Sequence, residues 1–267
     1  MRNLDATNPV FLKPSRFATF SACTLGALAL LNIPLAYGAA PNVRLIENPI
    51  VLLVGVVFFI SAILALVSSV FRWGWKAYYY GVALLCLGSI SFLALVPFLA
   101  MILYSTAPYW IKIFVATFYG VSHFIWCRRF VKMYERIFRD KTLRSLVYNE
   151  DAEAIYYMRR GDEFVLDKHC KFSQIPQDKY FGLFVALALL MVPAMDAICA
   201  FIGLPFVHIF LLVAMLPVSW MSVGLAVRAY LIFYLYPFRM KRDTGKEVYV
   251  DLVGKYRPVD HLPRWEV

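Results

Sequence analysis

Residues 49–71 read PIVLLVGVVFFISAILALVSSVF. The stretch holds no charged residue. Its apolar positions run on without the alternation of a half-buried strand or the polar stripe of a surface helix. About 20 such residues in a helix rise about 30 Å, the thickness of a bilayer's hydrocarbon core. The stretch is a membrane span, and it sets the scale for the rest of the chain.

Five further runs meet the same standard: 17–37, 80–104, 109–127, 180–202 and 206–227. A span must satisfy its own backbone polar groups, and continuous apolar runs do so as helices, not as barrel strands. The fold class predicted is an all-α membrane protein, a six-span helical bundle. Composition agrees: 61% of the 267 residues are hydrophobic and 16% charged, against about 45–50% and about 25% in soluble domains. The first run has a rival reading, because Lys13 and Arg16 precede it and Ala36-Tyr37-Gly38-Ala39-Ala40 resembles a signal-peptidase site. The apolar region is long for a signal peptide and Pro41 follows, so it is kept as a span.

Orientation follows from the basic residues. With the N-terminus inside, 25 of the 27 Lys and Arg fall on inner segments, and only Arg44 and Lys112 lie outside or at the outer edge. The positive-inside rule therefore places both termini in the cytoplasm. The net charge of +10 belongs to topology and anionic headgroups, with no nucleic-acid partner expected. Arg128, Arg129, Lys132 and Arg136 are the basic group expected at the membrane surface. Trp73, Trp75, Tyr78, Tyr79, Tyr80 and Trp126 mark inner edges, and Tyr104, Tyr109 and Trp110 an outer one. Short outer loops without glycosylation signals point to a bacterial inner membrane.

Most polar sequence lies in the 128–179 loop and the 228–267 tail. The loop begins as a continuation of the fourth span, with Phe130, Met133, Tyr134, Ile137 and Phe138 on one face. Next come a predicted strand at Ala154–Met158, a turn at Arg160-Gly161-Asp162 and a second strand at Glu163–Asp167. Glu247–Val253 alternates and is expected to add a strand, making a small cytoplasmic α+β subdomain from loop and tail.

Few residues carry chemistry. Asp196 is an intramembrane acid near Pro193, a pattern some ion sites use, although an acid alone more often reaches the interface or pairs with a neighbour such as His208. His123 is a candidate proton relay or, more commonly, an interhelical hydrogen-bonding group, and Asn32 has the same two readings. Pro34, Pro97, Pro193 and Pro217 predict kinks, and Ala116-x-x-x-Gly120 offers a small-residue packing face. The adjacent pair His169-Cys170 and the scattered cysteines form neither a catalytic dyad nor a zinc set. No phosphate loop, dinucleotide fingerprint or hydrolase motif occurs, so no catalytic, cofactor or metal residues are assigned.

The leading functional expectation is a non-enzymatic protein that binds another membrane protein, as part of an envelope or secretion assembly or as an immunity-type protein against a membrane-targeting toxin. A second copy of the chain is a further candidate partner. A channel or secondary transporter using Asp196 comes next, then a membrane enzyme with a cytoplasmic-face site built from His169 or acids of 150–167 near Arg128 and Arg129.

Overall fold

The computed structural model describes residues 14–71, 75–159, 162 and 178–251. Among them are six helices long and apolar enough to cross a membrane: Ser15–Ala39, Pro49–Val70, Ala77–Leu103, Tyr109–Arg139, Tyr180–Ile202 and Leu216–Thr244. This fits an integral, multi-pass membrane protein. A small three-stranded sheet accompanies them.

The first hairpin pairs α1 (Pro14–Ala39) with α2 (Pro49–Val70), each helix's main partner being the other. Asn48 starts α2. Its Oδ1 accepts from the amides of Ile50 (3.0 Å) and Val51 (3.4 Å), and Pro49 occupies the first helical position, where no amide is needed. The Asn48 amide group donates to the Ala36 carbonyl at 3.1 Å, and the Tyr104 hydroxyl donates to Oδ1 at 3.0 Å. One buried side chain thus ties three helices together at this end.

The third span is broken. α3 (Ala77–Leu87) and α4 (Phe92–Leu103) are joined by a 3-10 turn over Gly88–Ser91. The sequence offers no proline here. The Gly88-Ser89 pair explains the break, because glycine lowers helix propensity and serine offers the backbone an alternative hydrogen bond. Pro34 and Pro97, expected to kink their helices, lie inside α1 and α4, whose helical assignment runs on through them. Pro193 does sit in a 3-10 turn, Val192–Ala194, between α7 (Asp178–Leu190) and α8 (Met195–Ile202). The expected sixth run, 206–227, is divided at Met215, just ahead of Pro217, into α9 (Phe206–Ala214) and α10 (Leu216–Tyr230). A π-helical segment, Leu231–Leu235, then leads into α11 (Tyr236–Thr244).

The fourth span, α5 (Tyr109–Arg139), continues past its apolar run as expected. Phe130, Met133, Tyr134 and Ile137 are buried, so this extension packs on protein. Asp140 caps the next helix, α6 (Lys141–Val147), accepting from the amides of Thr142 (2.9 Å) and Leu143 (3.2 Å).

The sheet has the order β1 (Tyr148–Glu150), β2 (Ala154–Met158), β3 (Glu247–Asp251). β2 and β3 were expected, and they pair in parallel, Ile155 opposite Val248 and Tyr157 opposite Val250. The hairpin partner of β2 is β1, which precedes it, with Tyr148 opposite Tyr157. The expected second arm, Glu163–Asp167, lies outside the described residues. Asp162, expected at an exposed turn, is helical and fully buried. Trp75 and Lys76 touch the far side of β3, through the Val250 amide bonded to the Trp75 carbonyl (2.8 Å) and a bridge from Lys76 to Tyr249. Residues 75–76, 148–158 and 247–251 therefore meet at one end of the bundle. A single core fills that end, joining Trp126, Phe130, Ile137 and Trp220 to Val147, Tyr157, Phe233 and Val248. A second core, including Ala36, Ile50, Val96, Met195 and Ile209, fills the other end.

Candidate functional site

Two places where polar side chains distant in sequence come together bear on function. The first is a cleft of about 510 Å³ in the flank of the bundle. The break in the third span forms part of it, with Gly88, Ser89 and Ser91. α10 contributes Ser219 and Ser222, α1 and α2 contribute Leu25, Val57 and Ile60, and α5 contributes Tyr119 and His123. Leu85, which also lines it, is 47% exposed, so the cleft opens outward and not into a sealed core.

Most of its hydroxyls are already bonded. Ser219 Oγ donates to the Leu216 carbonyl (2.6 Å), Ser222 Oγ to that of Val218 (3.1 Å), and the Tyr119 hydroxyl pairs with Ser219. Next to the cleft, Trp220 Nε1 donates to Ser122 Oγ at 3.1 Å. Ser89 and His123 are among the groups not fully engaged. Ser89 is only 6% exposed, and its Oγ is buried with no hydrogen-bond partner among the described residues. His123 bonds through Nδ1 to the Tyr119 carbonyl at 2.7 Å, and its ring lies against that of Tyr119 with centroids 4.0 Å apart. A carbonyl can only accept, so Nδ1 carries the proton and Nε2 of the neutral ring is left as an acceptor. Nε2 has no partner among the described residues.

The second place is a buried ionic lock where the sheet meets the helices. Tyr157 from β2 donates its hydroxyl proton to Asp162 Oδ2 at 2.6 Å. Arg228 from α10 donates to Tyr157 Oη at 2.7 Å and forms an ion pair with the same Oδ2. Burial, followed by the negative charge of Asp162, holds the Tyr157 phenol well above its ordinary pKa, and Tyr148 is raised for the same two reasons in the same order. Tyr148 donates to the Ile232 carbonyl at 2.5 Å. That carbonyl lies in the π-helical segment, where the i−4 ladder is interrupted and a carbonyl is open to another donor. The lock holds the sheet against the bundle, and the chemistry it uses is internal.

The other candidates fall elsewhere. Asp196 is exposed in the first turn of α8, without a partner among the described residues, and is not among the residues lining the cleft. His208 does not turn toward it. Its Nε2 bonds the Leu35 carbonyl at 2.7 Å, linking α9 to α1. Asn32 donates to the Leu28 carbonyl of its own helix at 2.7 Å. Arg128, Arg129, Lys132 and Arg136 are all exposed, Arg129 lying over the Trp126 ring at 4.8 Å. Gly120 faces open space within the described chain. His169 and Cys170 lie outside the described residues. Among the described residues no group of three His, Cys, Asp or Glu is placed to hold a metal ion.

Compared with family models, curated proteins and solved structures, the chain has no match.

Proposed function

We propose that this chain is a non-enzymatic membrane protein that acts by binding another membrane protein within the bilayer. The observation that carries this reading is the lateral cleft, an open, mostly apolar recess in which Ser89 Oγ and His123 Nε2 are both left without a partner among the described residues. In a bilayer, helix association is driven by close packing and by interhelical hydrogen bonds, since lipid tails are as apolar as the helices themselves. A recess of this kind supplies both. The sheet end, carrying exposed Arg128, Arg129, Lys132 and Arg136, is the cytoplasmic end in this reading, with both termini there. The bilayer is a bacterial inner membrane, and the partner is a component of an envelope or secretion assembly or a membrane-targeting toxin.

The test is crosslinking in the intact membranes of cells that make the protein, followed by affinity purification of the tagged full chain and mass spectrometry. One membrane protein recovered in proportion to the bait supports binding. Recovery of the bait alone removes the proposal. A channel or transporter is the second reading, favoured by the helix break beside His123 near mid-membrane. It requires solute or ion flux in reconstituted vesicles that is lost in His123→Phe, or in Asp196→Asn where the acid carries the ion.

A further inference from the structure

We infer that the cleft receives a transmembrane helix of the partner protein that carries a carboxamide or hydroxyl side chain at mid-depth, bonded to Ser89 Oγ or to His123 Nε2. This rests on the binding role proposed above and adds where the partner sits and what it brings.

The starting point is Ser89. A buried hydroxyl without a partner is costly wherever it lies, and more so in hydrocarbon, where no water stands in. Serine in a helix ordinarily bonds back to a carbonyl three or four residues earlier, as Ser219 and Ser222 do on the facing helix. Ser89 sits in the 3-10 turn and does not. His123 supplies the second open valence, an acceptor on another helix lining the same cleft. A donor-bearing occupant satisfies the histidine, and a group that accepts or donates satisfies the hydroxyl. Carboxamides do both, and Ser or Thr hydroxyls do so one at a time.

Depth selects among occupants. Ser89 lies near the middle of the Ala77–Leu103 helix. A glycerolipid keeps its polar portion at the headgroups, about 15 Å from the bilayer centre, and presents only chain at this level. A transmembrane helix can place a polar side chain at any depth. The face of α5 that borders the cleft, which Tyr119 and His123 line, also suits a helix. Ala116, Tyr119, Gly120 and His123 recur at helical spacing on one face of α5, and a Cβ on Gly120 would meet nothing within 4 Å. A partner backbone can approach this face closely.

The test places a photo-crosslinking amino acid at Leu85, inside the cleft, and at Leu190, exposed on α7, in the full chain in native membranes. The expected result is a Leu85 adduct to an apolar segment of another protein that contains Asn, Gln, Ser or Thr. Its yield should fall about three- to tenfold in Ser89→Ala and in His123→Phe, the range one interhelical hydrogen bond supports, with partial recovery in His123→Gln. Ser89→Ala removes an unsatisfied group, so the free protein should melt no lower than wild type. A role in folding alone predicts the reverse pair of outcomes. Leu85 adducts only to lipid or a small molecule, only to a second copy of the chain, or of undiminished yield in Ser89→Ala overturn the inference. A protein adduct at Leu190 alone also overturns it while leaving the binding role intact. No protein adduct at either position removes both.

Discussion

The ionic lock allows a sharp double-substitution test. Asp162 is 0% exposed, whereas the Arg228 side chain keeps 22% of its surface open. Removing one partner of a buried ion pair costs about 3–5 kcal/mol, chiefly because the surviving charge is stranded. The two single substitutions should therefore differ. Arg228→Met leaves the carboxylate buried with only the Tyr157 hydroxyl, and should cost about 4 kcal/mol. Asp162→Asn keeps an acceptor for both Tyr157 and Arg228, and the Arg228 side chain retains some exposure, so about 2 kcal/mol is expected. The double variant strands no charge and should lose only about 2 kcal/mol, well short of the roughly 6 that independent effects would give. The assay is reversible unfolding in mixed detergent micelles, followed by tryptophan fluorescence. Trp126 and Trp220 report directly, since their rings stack 5.7 Å apart in the core beside the lock. Additive losses, or an Arg228→Met variant as stable as wild type, would refute the account of the lock.

Three other outcomes are expected. In Gly224→Ala, the new Cβ would lie 2.5–2.8 Å from the Phe130 ring. Overpacking of about 1–3 kcal/mol then outweighs the roughly 1 kcal/mol that alanine adds to a helix, and only Phe130→Leu in the same chain should restore the melting temperature. Asn48→Ala removes a cap and strands Tyr104 and the Ala36 carbonyl. A loss of about 2–3 kcal/mol is expected by the same unfolding assay, less in Asn48→Asp, which retains the acceptor, and equal losses in the two would count against the cap. Tyr148 and Tyr157 favour the neutral phenol in the fold, so their stabilisation is complete below the unfolded value of about 10 and is lost as pH rises from there toward the higher folded values. Tyrosinate absorbance should show these two phenols among those that ionise late, together with the tryptophan change. Early ionisation of all 17 tyrosines in an intact fold contradicts this.

The span helices were legible because lipid as solvent writes a one-dimensional signal: an unbroken apolar run needs no knowledge of its neighbours. β3 was legible for a related reason, since Val248 and Val250 alternate on a strand with one face in the core. The strand β1, which pairs with β2, was not expected. Asp151 builds the tight turn between β1 and β2, accepting from the Ala152 amide (2.7 Å) and donating its own amide to the Ala154 carbonyl (2.9 Å). Asp162 looked like a turn residue because glycine precedes it. Its burial depends on Arg228, 66 positions away, and nothing local announces that. The break at Gly88-Ser89 did carry a local signal, which the prolines overshadowed. The cleft could not be read at all, because Ser89, His123, Ser219 and Ser222 converge only after four helices have packed.

The parallel pairing of β2 with β3 bears on how the chain is made. Between Met158 and Glu247 the polypeptide leaves the sheet end, runs through the Tyr180–Ile202 helix and returns through the helices that end at Thr244. The third strand can reach its place only if the last two membrane segments have been threaded as an opposed pair. A chain in which one of them failed to insert would deliver the strand to the wrong compartment, leaving an open edge on β2 and an ion-pairing arginine without its aspartate. Completion of this small sheet thus depends on both segments having been threaded together.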